Sequence, residues 1–365
     1  MKQRFRDAAA GYLFLAPFLL TVAIFFVYAF VRAVVFSFTD YNLFNINNLN
    51  FVGLRNYTDL FRDASFLRAL SNTLTYCVIV TVLQTIGALV MASVLNQKVR
   101  GIGFFRAAYF MPSVTSSVVI TLIFLWLFQR GGLFNYLATQ FLMFLPHIVV
   151  FIGVTVLAQA IQVSLERSRK LPAHWADPAL LVISLIIAVV VTFVVTFTGL
   201  LAPRDINPVN FIWLNTTEGI GWAAFPLIAI MIQNIFTTIP TFMLMFLAAL
   251  QNVPVSHYEA ASLDGATPVQ QFLYITVPSV QPVTFLVVTL GLIGTLQTFD
   301  QVAIFGNAVP TESVITLAYF VYDRMFPGAQ LPEIGFASAA AMFLAILTLV
   351  VVLIQRLFIP SEQKR

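Results

Sequence analysis

Side chains able to do chemistry are scarce in this sequence, and most of them lie inside apolar runs. Asp300 is the acidic residue set well within such a run, where desolvation makes a carboxylate expensive and therefore a functional candidate. His147, His174 and His257 stand far apart, with no His-Glu-x-x-His, and the single cysteine, Cys77, lies in an apolar run. That pattern offers no metal-ligand spacing, thiolate cluster or disulfide framework. Gly-x-x-x-x-Gly-Lys-Ser/Thr and Gly-x-Ser-x-Gly are also missing, which removes a phosphate-cradling loop and a serine elbow from the options. What remains is hydrogen bonding by neutral groups. Ser113 and Ser117 recur at i, i+4, as do Asn234 and Thr238, while Gly291, Thr295 and Thr298 recur at i, i+4, i+7. Each set therefore lies on one helix face, off which Gln297 and Asp300 fall. Such stripes could line a path for a hydroxyl-rich solute, or they could simply let helices pack closely. Spacing leaves both readings open.

The elements carrying these residues are membrane spans. Of 365 residues, 60% are hydrophobic and 9% charged, against about 25% charged in a soluble domain. The apolar residues fall in blocks near the ~20 that cross a bilayer as a helix. Eight spans are expected, at 11–36, 75–96, 104–128, 141–163, 179–202, 221–250, 282–306 and 335–358. The chain thus reads as an all-α integral membrane protein with one membrane domain over 1–365. The first span follows Met1-Lys2-Gln3-Arg4-Phe5-Arg6 and is too long for a cleavable signal, so it is expected to be retained.

An even number of spans puts both termini on one side. With the N-terminus inside, inner segments hold 12 of the 19 basic residues: Lys2, Arg4, Arg6, Lys98, Arg100, Arg106, Arg167, Arg169, Lys170, Arg356, Lys364 and Arg365. Outer loops hold Arg55, Arg62, Arg68, Arg130, Arg204 and Arg324. The bias predicts cytoplasmic termini and a cytoplasmic segment 251–281. A net charge of +4 scattered through short loops makes no nucleic-acid footprint. The loop 39–72 is expected to be the first outer loop, folded as a short cap, and 206–217, with Asn207-Pro208 and Trp213, an interfacial segment. Gln233-Asn234 and Thr237-Thr238, with Pro240 close behind, put polar groups in mid-span, where they face a cavity or protein.

The segment 251–281 carries the most specific pattern. Glu259-Ala260-Ala261, three residues, Gly265, nine residues, Ile275, one residue, then Val277-Pro278 closely resembles the EAA signature of ABC importer permeases, with Val277 where Leu is usual. Phe51 through Tyr57, Arg106 through Pro112, Leu247 through Ala266, Thr298-Phe299-Asp300 and Phe320 through Phe326 resemble further stretches of the sugar-permease branch. In plan the chain is similar to the larger permease subunit of the maltose importer. Two departures stand out: Phe305-Gly306-Asn307-Ala308-Val309-Pro310 replaces the usual Gly-Gly-Pro turn, and residues 136–205 have no counterpart in the six-span plan.

The resemblance implies a type I ABC importer permease fold, with a six-helix core plus an inserted, lipid-facing hairpin at 136–205. It implies that Glu259, Ala260, Ala261, Asp264, Gly265 and Pro278 couple the chain to an ATPase. It puts Ser113, Ser117, Asn234, Thr238, Gly291, Thr295 and Thr298 on the substrate path, and leaves Asp300 between an anchor near the outer mouth and a substrate contact. The implied partners are a second permease subunit, two ATPase subunits, an extracytoplasmic solute-binding protein and membrane lipid. The implied cargo is a sugar, polyol or glycoside, and the implied location a bacterial inner membrane. The chain itself is expected to bind no cofactor, ATP and Mg being used by the ATPase subunits. A stand-alone secondary transporter would want more ionisable residues inside the spans than Asp300, and a membrane-embedded transferase would want clustered Asp, Glu or His at an interface.

Overall fold

The computed structural model describes residues 2–42, 50–96, 101–169, 174–306, 308–328 and 331–358, of which 2–10 as backbone only. Lys98, Arg100, Lys170, Pro172, Asn307, Lys364 and Arg365 lie outside the described residues. Among those described, seven helices are long and apolar enough to span a membrane, or eight if one bent pair counts as a span.

The chain opens with α1 (Gly11–Ser37), whose most apolar window has none of its side chains buried. Thr39 bridges Phe51, and Asp40 accepts from the side chain and backbone N–H of Asn50 at 3.0 and 2.9 Å. Those two bonds hold the Asp40 carboxyl below its usual range. A short α2 (Arg55–Leu60) follows. The helix expected from residue 75 in fact begins earlier, as α3 (Ala64–Leu95), because Asp63 caps it by accepting from Phe66 N at 2.9 Å. Much of the expected 39–72 loop is therefore helical.

Helix α3 organises the first of two compact units, which comprises residues 1–125 and 214–365. Ala69, Thr73, Cys77, Val80, Gln84, Ala88, Ala92 and Leu95 recur every three or four residues and are buried, while Val78, Val82, Ile86 and Val90 on the other side are exposed. Small and polar residues face inward and branched apolar ones outward, the order suited to lipid. The N-terminal half of α3 packs in one core with Leu296, Leu317, Phe320, Ala339 and Ala340. Its C-terminal half packs in another with Met243, Phe246, Leu247, Val280 and Val287.

The expected third span is broken. It consists of α4 (Ile102–Val114) and α5 (Ser117–Leu127), bent by 96°. Arg106 Nη2 donates to Leu95 O at 2.6 Å, fastening α4 to the end of α3.

The second unit, 126–213, contains α6 (Leu133–Met143), α7 (Leu145–Ser168) and α8 (Pro178–Phe197). A polar clasp joins α7 to α8. Gln159 Nε2 donates to Trp175 O (2.9 Å), Ser184 Oγ donates to Gln159 Oε1 (2.7 Å), and Gln162 Nε2 donates to Ser184 Oγ (3.0 Å). Trp213 is fixed at one end of this unit by donating to Asn135 Oδ1 at 3.1 Å, beside Phe128, Phe134 and Phe211.

The first unit resumes through the strand pair Gly219–Ile220 and Ala223–Ala224 into α9 (Phe225–Leu250). Next come α10 (Val255–Leu263), α11 (Pro268–Gln271), a π-helical turn at Phe272–Thr276 and a turn at Val277–Ser279. The chain then forms α12 (Gln281–Leu296), α13 (Asp300–Phe305), α14 (Leu317–Met325) and α15 (Ile334–Phe358). Arg324 ties the two ends of this unit together. It pairs with Asp63 at 2.7 Å and Glu333 at 3.3 Å, and lies over the Phe320 and Phe336 rings.

Candidate functional site

Two sites follow from this frame, a polar pocket and a polar turn. The pocket, of about 220 Å³, forms where the break between α4 and α5 faces α9. Pro112 lies near the end of α4, and the hydroxyls after it bond back to its carbonyls: Ser113 to Phe110 O (2.8 Å) and Thr115 to Met111 O (3.1 Å). Such local bonds compete with helix continuation, and α5 starts afresh at Ser117.

Ser113 and Ser117 line the pocket from the break, and Asn234 and Thr238 line it from α9. The last two are joined, Thr238 donating to Asn234 Oδ1 at 3.3 Å. Four of the seven expected path residues are thus brought together. Thr115, Gln233, Thr237 and Gln301 also line the pocket, and sequence spacing did not select them. Gln233 and Thr237 are mid-span polar residues, a usable signal; Gln301 enters only because α13 restarts the chain at Asp300.

Gly291, Thr295 and Thr298 lie elsewhere. All three are buried, in the seam between α12 and α3. Thr295 Oγ1 stands 3.2 Å from Thr81 Oγ1 and also donates to Gly291 O at 2.7 Å. A Cβ on Gly291 would come within 2.5 Å of Gln84 Nε2. Their small size brings two helices into contact, and their hydroxyls are used within the bundle, so this stripe is a packing seam in this structure, not a wall of the pocket.

Asp300 is placed differently too. Helix α12 ends at Leu296, and Asp300 opens α13 with its side chain exposed. A carboxylate in a first helical turn is favoured by the helix dipole, and the fold of this chain does not itself bury it. His147, in α7, packs edge-on against Phe144, and no group of three metal-ligating side chains occurs among the described residues.

The polar turn spans 254–279. Pro254 precedes α10, and Glu259, Ala260 and Ala261 lie within that helix. Gly265 ends it with φ +80°; its N–H donates to Ser262 O (3.1 Å), and that of Ala266 donates to Ala261 O (2.9 Å). These are the two bonds of a Schellman stop, which favours glycine at the left-handed position. Asp264 is the residue before it. Thr267 then starts α11 with a capping box, sharing reciprocal bonds with Gln270. Two braces cross the turn: Tyr258 Oη stands 3.0 Å from Thr276 Oγ1, and Gln271 Nε2 donates to Ser262 Oγ at 2.8 Å. Pro278 sits in the short turn that leads into α12. Glu259 and Ala260 are exposed, as is Leu263, at 90%.

The chain resembles the arabinooligosaccharides transport system permease protein AraP of Bacillus subtilis, with 30% identity over 348 residues, 95% of this chain and 87% of that protein. Its fold matches a solved bacterial ABC transporter involved in import of the acidic polysaccharide alginate, with a TM-score of 0.66 at 19% identity over 100% of this chain and 99% of that one. A second structure, a bacterial alginate ABC transporter in complex with an alginate pentasaccharide-bound periplasmic protein, matches with a TM-score of 0.67 at 18% identity over 100% of this chain and 98% of that one. Residues 84–364 match the family model described as the binding-protein-dependent transport system inner membrane component. With that match running from α3 through the broken helix, the pocket and the braced turn, the chain belongs to the family of multi-pass inner-membrane permeases of binding-protein-dependent ABC importers.

Proposed function

We propose that this chain forms, with a second permease subunit, the path for ATP-driven uptake of a sugar, polyol or glycoside. The observation that carries this is the pocket, whose lining is polar yet contains no charged side chain. Neutral hydroxyl and amide groups match a solute that is itself a set of hydroxyls. The solved alginate transporter binds its periplasmic protein, and by analogy a solute-binding protein delivers cargo to this chain.

The braced turn is the coupling element in this reading. It carries no Lys or Arg from Glu259 to Pro278 and presents Leu263, Val269 and Tyr274 outward. Exposed apolar side chains on a polar turn suit a protein partner, here one of two ATPase subunits. Closure of the ATPase pair would push on α10 and α11 and reorient α9 and α12, giving alternating access. ATP and Mg are used there; this chain supplies binding and motion. Both termini and the turn then lie in the cytoplasm. Helices α7 and α8 are an insertion facing lipid, consistent with the exposed Val182, Ile186, Val189 and Phe193.

The test is transport by the assembled importer carrying Gly265→Asp or Glu259→Lys. Aspartate strains the left-handed position at Gly265 less than most side chains would, and Glu259→Lys tests docking without touching that backbone. We expect uptake to fall about tenfold or more with weakened ATPase association; normal uptake with unchanged association would remove the coupling role. Asn234→Leu should impair uptake with assembly intact, and unaffected transport would leave Asn234 a packing residue.

A further inference from the structure

Helix α1 carries a cation on a surface that the rest of the chain leaves open. None of the side chains in its most apolar window is buried, and Arg32 is exposed on it. The guanidinium carbon of Arg32 stands 4.6 Å from the centre of the Phe36 ring and 6.0 Å from that of Tyr28, residues about one turn to either side. Phe36 is itself stacked on Tyr41, with centroids 4.1 Å apart and planes within 3°. Tyr41 O in turn accepts from Gly335 N at 3.1 Å. The cation is thus seated between rings, one of which is anchored to the bundle.

A ring face attracts a cation but gives the guanidinium donors no lone pair. Among the described residues no carboxylate pairs with Arg32 and no acceptor bonds to it; Asp40, the nearest acidic residue in sequence, is engaged by Asn50. Depth narrows what the missing acceptor is. The 27 residues of α1 run roughly 40 Å at ~1.5 Å per residue, against a hydrocarbon core of ~30 Å. With Ile24 at the midplane, the Arg32 backbone lies about 12 Å from it, just inside the core edge at about 15 Å. A guanidinium facing lipid there is costly without a counter-charge, and its long stem carries the head toward the phosphates. Tyr28 and Tyr41 belong to the aromatic level that marks such an edge.

We propose that Arg32, seated between Tyr28 and Phe36, is a binding site for the phosphate of an anionic phospholipid. The guanidinium fork takes two phosphate oxygens at once. Tyr28, 60% exposed, adds a hydroxyl donor on the same helix face, four residues away. An anionic headgroup neutralises the site, whereas a zwitterionic one brings its own ammonium group, which competes for the phosphate and meets Arg32 with like charge. Charge, depth and ring geometry all point to the headgroup, so the lipid is held at one place on α1 and does not merely surround it. The site does not depend on which solute the chain moves.

The experiment reads the lipid beside Arg32. Val35, three residues on and 49% exposed, is replaced by cysteine (Val35→Cys) and labelled with bimane in the assembled importer; Cys77 is 2% exposed and stays silent. The complex is placed in phosphatidylcholine nanodiscs that contain rising fractions of brominated phosphatidylglycerol or, separately, brominated phosphatidylcholine. We expect phosphatidylglycerol to half-quench the label at a mole fraction about fivefold lower than phosphatidylcholine, the contribution of one basic residue at a membrane surface. Arg32→Gln should make the two lipids equal, and Arg55→Gln, which removes an exposed charge outside the span, should keep the preference. Equal quenching with Arg32 intact overturns the proposal, as does a preference that survives Arg32→Gln or disappears with Arg55→Gln. Quenching by neither lipid also overturns it, since the face is then covered by a partner subunit. Should Arg32→Gln fail to assemble, the comparison of the two lipids with Arg32 intact decides.

Discussion

At the scale of single residues, glycine and the neutral amides have separate duties. Gly291 is where α12 touches Gln84 of α3, and a methyl there has 2.5 Å to the amide nitrogen. Overpacking of this kind costs about 1–3 kcal/mol, so Gly291→Ala should lower the unfolding temperature of the solubilised protein. Gln84→Ala in the same chain should relieve much of the loss, and a double-mutant cycle measures the coupling. Additive effects would show that the two side chains do not meet. This seam also shows what spacing could not decide. Gly291, Thr295 and Thr298 have the same residue types and periodicity as the pocket residues, since membrane helices use small and hydroxyl residues both to pack and to line cavities. Only the neighbours of each stripe separate the two uses.

Among the elements, the boundary at Asp63 matters most for stability. The side chain caps α3 and pairs with Arg324 at 2.7 Å, with both groups about three-quarters buried or more. Asp63→Asn keeps a capping oxygen and loses the charge pair, whereas Asp63→Ala loses both. The alanine variant should be the less stable by about 1 kcal/mol, the usual value of a cap, as read by thermal unfolding. Equal losses would mean that the ion pair is the whole effect. Hydropathy places the long spans well, because a run of about 20 apolar residues has few alternatives. It misses the first turns of α3, which are capped but less apolar, and it misses the 96° bend after Val114. The local signal for that bend is present: Pro112 followed by Ser113, Thr115, Ser116 and Ser117, of which Ser113 and Thr115 bond back to the preceding turn and so compete with helix continuation. The turn at 254–279 is the most legible element, since Gly265 takes the left-handed conformation that its position in the EAA-like pattern demands.

For the whole molecule, orientation is the open quantity with the clearest measurement. Cys77 is 2% exposed, so the native thiol gives a quiet background. Leu263 and Trp222 are 90% and 86% exposed. With an impermeant maleimide, Trp222→Cys should label in intact cells and Leu263→Cys only after permeabilisation. The reverse pattern would invert the orientation drawn from Lys and Arg. Helices α7 and α8 belong to a compact unit with its own polar clasp. If they are the insertion proposed above, replacing Leu145–Phe197 with a short linker should leave ATPase association of the remaining chain measurable by pull-down, and its loss would give these helices a part in assembly.

The braces across the 254–279 turn set its mechanical character. A loose loop resists only stretching, like a cord. Here a Schellman stop, a capping box, Tyr258 on Thr276 and Gln271 on Ser262 fix the turn from inside. Such a part resists compression as well as tension. If the turn is the coupling element proposed above, a partner that seizes it drives the bundle in either direction of its stroke, and closing and opening use one strut.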